Sequence, residues 1–185
     1  LSATEKANML FIVQDPYTSY YDAKVVRDFV ALTQKLGFEP ILLPFKPNGK
    51  AMHIKGFLAR FSKTAKTQAE FLNRIAKLNV PLVGVDPAIV LSYRDEYKEV
   101  LGDSRGDFHV LTAHEWLTNQ LENNALQSAV KNIAKSDRTF EWHLFPHCTE
   151  STFMPNSPKE WQNIFAQFGQ TLKVEKVGCC GMAVS

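Results

Sequence analysis

Short apolar runs alternate along this chain with stretches whose apolar residues recur every three or four positions. The first run, Met9-Leu10-Phe11-Ile12-Val13, ends at Asp15-Pro16, and unbroken apolarity of that length suits a buried strand. Val25, Phe29, Leu32 and Leu36 then fall on one helical stripe. Gly37 stands where a left-handed C-terminal cap is expected. Pro40-Ile41-Leu42-Leu43 predicts a second strand. Thr67 with Glu70 reads as a capping box ahead of Phe71, Ile75 and Leu78, and Pro81 to Val85 as a third strand. Asp86-Pro87 then caps a helix running through Tyr93 and Tyr97.

The same grammar continues. Phe108 to Leu111 predicts a strand, Thr112 with Glu115 a capping box, and Trp116, Leu117 and Leu121 a buried stripe. A polar connector from Glu122 to Arg138 leads to the strand Phe140 to Phe145, which runs into Pro146-His147-Cys148. Ser157, Pro158 and Glu160 open a helix whose inner face is Trp161, Ile164, Phe165 and Phe168, and Gly169 closes it. The strand Leu172 to Val177 then reaches Gly178-Cys179-Cys180-Gly181. Strands alternating with helices over short links predict an α/β fold with mainly parallel sheets, because parallel neighbours need a helical crossover.

The two halves resemble each other by spacing. Gly37 and Gly169 stand at a sequence offset of 132, as do Gly49 and Gly181, while Asp15 matches Cys148 at an offset of 133. This predicts two similar Rossmann-like lobes with small parallel sheets, related by a pseudo-two-fold repeat, over residues 1–101 and 102–185. In the first copy the cysteine positions hold Asp15 and Pro47-Asn48-Gly49, relics of a lost site.

Composition narrows the class. With 185 residues, 45% hydrophobic and 22% charged, the chain is of globular type and large enough for a real core. Lys plus Arg number 21 against 19 for Asp plus Glu, leaving +2, and no basic cluster interleaves with aromatics, which argues against a nucleic-acid partner. The longest uncharged stretch, Trp161 to Leu172, is too short to span a bilayer. The chain starts at Leu1 without a signal-peptide pattern and reads as a piece of something longer.

Three cysteines carry the candidate chemistry. Cys148 and the pair Cys179-Cys180 stand at the carboxyl ends of two predicted strands, where open α/β sheets collect ligands and where backbone N–H groups favour a thiolate. Adjacent cysteines bond to each other only with strain, so a shared metal is the better use of the pair. An odd cysteine count also suits a reducing compartment, the cytoplasm by default.

Cys148, followed at a distance by Cys179-Cys180-Gly181, resembles the first part of the cysteine-rich CCG module found in heterodisulfide reductases and in the iron-sulfur subunit of glycolate oxidase. The match is nearest to the carboxyl-terminal part of FAD-linked oxidases of D-2-hydroxy acids. Residues 1–101 then look like a degenerate first module, and residues 102–185 like a second that stops before the family's last cysteine pair. The resemblance implies Cys148, Cys179 and Cys180 as metal ligands, an iron-sulfur cluster in the parent protein, and FAD in a separate domain. It also implies flavin and ferredoxin-like domains of the same parent as partners, an electron acceptor, and peripheral attachment at the inner membrane face through the parent complex. On that view the fragment relays electrons and is not catalytic by itself. Three thiolates remain where a cubane cluster generally takes four protein ligands. A zinc site, or a structural interaction module, uses the same residues in other ways.

Weaker candidates are His147 beside Cys148, the tyrosines Tyr17, Tyr20 and Tyr21, and Gly49-Lys50, which lacks the rest of a phosphate loop. His109, His114 and His143 are expected on strand or helix surfaces.

Overall fold

Strand β1 (Met9–Val13) is buried along its whole length. Because side chains alternate across a strand, Met9, Phe11 and Val13 join one core with Phe61, Ala65, Leu72 and Tyr93, while Leu10 and Ile12 join a second with Phe29, Trp116 and Leu117. A strand buried on both faces belongs at the centre of a sheet with helices above and below. The computed structural model, which describes residues 2, 6–122, 126–133, 140–176 and 178, shows that arrangement.

The chain continues through α1 (Pro16–Tyr20), α2 (Ala23–Lys35), β2 (Glu39–Leu42), α3 (Lys50–Ile54), α4 (Leu58–Ala76), β3 (Leu82–Gly84), α5 (Pro87–Arg94), α6 (Glu96–Leu101), a 3-10 turn (Gly102–Arg105), β4 (Val110–Thr112) and α7 (Ala113–Leu121). The four strands form one parallel sheet in the order β2-β1-β3-β4. Pro40 is tolerated in β2 because that strand lies at the edge. The fold is therefore α/β with small parallel sheets. This sheet continues past position 101, since β4 supplies its fourth strand and α7 packs on its second core.

After α8 (Gln127–Ile133) come β5 (Glu141–Leu144), α9 (Cys148–Phe153), α10 (Ser157–Gln167) and β6 (Thr171–Val174), with β5 and β6 paired in parallel. The register repeats that of the first pair. Met9 faces Glu39, and Glu141 faces Thr171, so both members of the pair are displaced by the same offset of 132. The Leu43 N–H donates to the Ile12 carbonyl at 3.0 Å, and the Glu175 N–H to the Leu144 carbonyl at 2.9 Å. Gly37 (φ 92°) and Gly169 (φ 70°) close α2 and α10 in the left-handed conformation, each followed by an N–H bonded five residues back. At this offset the counterpart of Cys148 is Pro16, and that of Asp15 is His147; both members of the latter pair cap helices. The expected alignment of Asp15 with Cys148 is thus one residue out. Among the described residues the likeness extends over strand, two helices and strand, since the second sheet has two strands where the first has four.

Several local expectations change for tertiary reasons. Of the stripe expected in α2, Phe29 and Leu36 are buried and Leu32 is half-buried against the second core, but Val26 takes the place of Val25; Thr33 also enters the core, its hydroxyl donating to the Val30 carbonyl at 2.9 Å. Thr67 lies inside α4, which starts nine residues earlier on the strength of Phe61, Ala65, Ala69 and Leu72. The connector after Glu122 contains α8, held by Val130 in the second core. Asn156 precedes α10, and Ser157 spends its hydroxyl on Glu150 instead of capping. No helix among the described residues is long and apolar enough to cross a membrane.

Candidate functional site

In a sheet ordered β2-β1-β3-β4 the direction of the crossovers reverses between β1 and β3, and the carboxyl ends of strands at such a reversal are where open α/β sheets bind ligands. Asp15 follows β1 and Asp86 follows β3. Each caps a helix that has proline in its first turn: Asp15 Oδ1 accepts the Thr18 N–H at 2.9 Å, and Asp86 Oδ1 accepts the Ala88 N–H at 2.8 Å. Asp15 is only 2% exposed and also takes the Thr18 hydroxyl. Burial, and then the charge of Asp15, push the Asp86 carboxyl above its ordinary range, against the pull of the two capping N–H groups and His147.

The loop after β2 brings Asn48 to the same edge. Its side-chain oxygen accepts the Lys50 N–H at 2.9 Å, its main-chain carbonyl accepts the Tyr97 hydroxyl at 2.6 Å, and its buried Nδ2 has no hydrogen-bond partner among the described residues. Burial raises the Tyr93 and Tyr97 hydroxyls well above the usual tyrosine range, so both stay protonated; Tyr93 accepts the Gln68 Nε2–H at 3.4 Å. This edge therefore carries one buried and one half-buried carboxyl and a buried amide, with two neutral phenols in the core beneath them.

Cys148 begins α9 at the carboxyl end of β5, as the sequence pattern predicts, and its thiol is exposed and unbonded. His147 caps this helix, its Nδ1 accepting the Thr149 N–H at 3.3 Å. Helix α9 packs against α5, and that contact brings His147 within electrostatic reach of Asp86. The cysteine helix is thus seated beside that edge of the first sheet.

A buried cluster fastens it there. His114, 1% exposed, places Nδ1 3.0 Å from the Thr112 hydroxyl and 3.4 Å from Glu150 Oε1, and Nε2 3.1 Å from Glu160 Oε2. Glu150 in turn accepts the Ser157 hydroxyl and, at 3.1 Å, the Trp161 Nε1–H. The Nε2 contact with Glu160 is close in distance but poorly angled for a hydrogen bond. The expectation of a surface His114 is corrected: the ring is buried because α10 closes over the start of α7. Linear spacing carries no signal linking residue 114 to residues 150 and 160.

The other candidates separate. Cys179 and Cys180 lie outside the described residues. Among the described residues no group of three or more His, Cys, Asp or Glu side chains could hold a metal. Cys148 fits one ligand position of a metal centre, since its thiol is exposed and not used in packing. Lys50 pairs with Glu96, whose carboxyl is held below its ordinary range because the Lys50 contacts outweigh burial. Tyr17 stacks on Tyr21 with ring centres 6.1 Å apart, and Tyr20 meets Phe45 edge-on at 5.3 Å, which is packing. His109 and His143 are exposed, the latter 2.6 Å from Glu175. Trp161, Phe165 and Phe168 are only half-buried because, with Phe29 and Leu32, they line an apolar groove of about 540 Å³.

Comparison with known proteins adds what geometry does not supply. The chain is 81% identical over 183 residues to a D-2-hydroxyglutarate dehydrogenase of Haemophilus influenzae, 57% to one of Escherichia coli K12 and 37% to one of Pseudomonas putida. Each match covers 99% of this chain but only 18%, 17% and 17% of the relative, so the chain spans under a fifth of the length of these proteins. No protein-family model matches, and no solved structure does.

Proposed function

We propose that this chain is part of an FAD-linked, iron-sulfur oxidoreductase of 2-hydroxy acids, with D-2-hydroxyglutarate as the substrate of the whole protein, and that it serves electron transfer through Cys148, Cys179 and Cys180. The likeness of 99% of the chain to dehydrogenases of that name carries the reading. The seating of Cys148 supports it. An exposed thiol at a strand end, on a helix clamped to the sheet by Glu150, is a ligand held in place without being buried. The constant offset of 132 supports the convergence of the other two thiols, because the counterpart of Cys180 is Asn48, already at the carboxyl edge of the first unit. A cluster held by these thiolates would supply one-electron transfer. The chain contributes the thiols, the clamp and the surface on which flavin and ferredoxin-like domains dock. The odd count of cysteines suits a protein of the cytoplasm.

Iron and acid-labile sulfide analysis of the longer, anaerobically purified protein tests this. Iron with sulfide, lowered in the Cys179→Ser variant while substrate still reduces the flavin, is the expected result. Zinc without sulfide, or no metal, overturns it.

A further inference from the structure

The helices over the first core carry two charged rows on their outer side. Between Glu39 and Glu70 the chain has no acidic residue but six basic ones, Lys46, Lys50, Lys55, Arg60, Lys63 and Lys66, three to five positions apart, so that no cluster shows in sequence. Folding gathers them. Arg60, Lys63 and Lys66 are exposed at every third position of α4, whose buried face holds Phe61, Ala65 and Leu72. Lys55 and the exposed Ile54, Phe57 and Leu58 form the corner where α3 turns into α4, with the Arg60 guanidinium 5.7 Å from the Phe57 ring centre. A second row, Asp95, Glu99, Asp103 and Asp107, is exposed at intervals of four along α6 and the 3-10 turn, with the exposed cation Lys98 among them. Neither Lys55, Arg60, Lys63 and Lys66 nor these four carboxylates form an ion pair among the described residues. The rows lie side by side: Phe61 of α4 meets Tyr97 of α6 edge-on at 5.8 Å, and Asn73 of α4 accepts the Asp107 N–H at 3.1 Å.

We propose that this face pairs two copies of the protein. A basic row beside an acidic row is complementary to itself: turned about a two-fold axis running between the rows, a second copy sets each row on its opposite, and every contact occurs twice. The corner residues Ile54, Phe57 and Leu58 add apolar area at one end of the charged rows. Charge also selects this occupant over others. Nucleic acid, an anionic membrane or an acidic protein laid on the basic row meets the acidic row beside it and is repelled there, whereas a second copy brings both signs in the required order. The inference concerns assembly and does not depend on the cluster.

Sedimentation velocity of the longer protein tests it in four samples: the native protein, Lys63→Glu/Lys66→Glu, Glu99→Lys/Asp103→Lys, and an equal mixture of the two variants. All four positions are exposed, and circular dichroism checks that the variants keep the fold. The native protein is expected to self-associate, less so at about 1 M salt, where charges are screened beyond about 3 Å. Each variant alone should associate at least about tenfold more weakly, because the reversed residues then face their own sign. The mixture should regain native association, since the reversed residues of one variant meet those of the other and the unaltered rows meet each other. A monomeric native protein, variants that associate as the native protein does, or a mixture that stays dissociated overturns the proposal. So does binding of the native protein, but not of Lys63→Glu/Lys66→Glu, to phosphatidylglycerol vesicles, which assigns the basic row to an anionic membrane.

Discussion

His114 Nε2 lies 3.1 Å from Glu160 Oε2, and this contact joins the first turn of α7 to the first turn of α10. With Glu150 on the opposite nitrogen, one buried imidazole holds the cysteine-bearing helix α9 and its successor against the first sheet. Replacing it leaves two carboxylates facing each other across a void. We expect His114→Leu to cost about 2–3 kcal/mol in urea unfolding. It should also change the Trp161 fluorescence in the native baseline, since that ring lies 5.6 Å from His114. An unchanged midpoint would mean that the two carboxylates are held by other groups.

Asn73 ties α4 to the segment before β4: its Nδ2 donates to the Ala69 and Arg105 carbonyls, both at 2.8 Å, and its Oδ1 accepts the Asp107 N–H at 3.1 Å. Gly106 (φ 71°) passes so close that an added Cβ would sit 2.4 Å from Asn73 Oδ1. Gly106→Ala should cost about 3 kcal/mol, left-handed strain plus loss of the Asn73 bonds. Gly56→Ala, at φ 75° in open space, should cost about 1 kcal/mol, the strain alone. Equal losses in denaturant melts would exclude the clamp.

Acid should loosen the contact between α5 and α7. Burial acts to raise the Glu115 carboxyl, but hydrogen bonds from Arg94 and Thr112 outweigh it and hold the group below its ordinary range. A depressed folded-state pKa means that the stabilisation is complete above the unfolded value, about 4.3, and is lost as pH falls through the folded one. Stability measured from pH 7 to pH 3 should decline more shallowly in Glu115→Gln, which keeps a capping-box residue but removes the titration.

Asp86 works in the opposite sense. Its folded pKa is raised, so its favourable contribution belongs to the protonated form and is lost as pH rises through that value. Asn caps helices as well as Asp. Asp86→Asn should therefore be neutral or stabilising at pH 7 and should remove this fall-off with pH. A loss of more than about 1 kcal/mol in the same unfolding series would show that the ionised carboxyl is needed.

What the sequence determined by itself is what a few neighbouring residues settle among themselves. The apolar run of β1, the Asp86-Pro87 cap, the Thr112 to Glu115 capping box and the left-handed caps at Gly37 and Gly169 all depend on contacts within about five positions, and all are legible in the chain. Cys148 at the end of β5 belongs with them, because strand and turn adjoin in sequence. The tertiary structure alone decided that Val26 rather than Val25 is buried, that His114 lies between Glu150 and Glu160, and that Lys50 meets Glu96. It also decided that the β4 strand joins the first sheet. Those outcomes depend on which helix face lands on which sheet face, and burial rewards total apolar area removed from water without recording in any one segment where its partner will be.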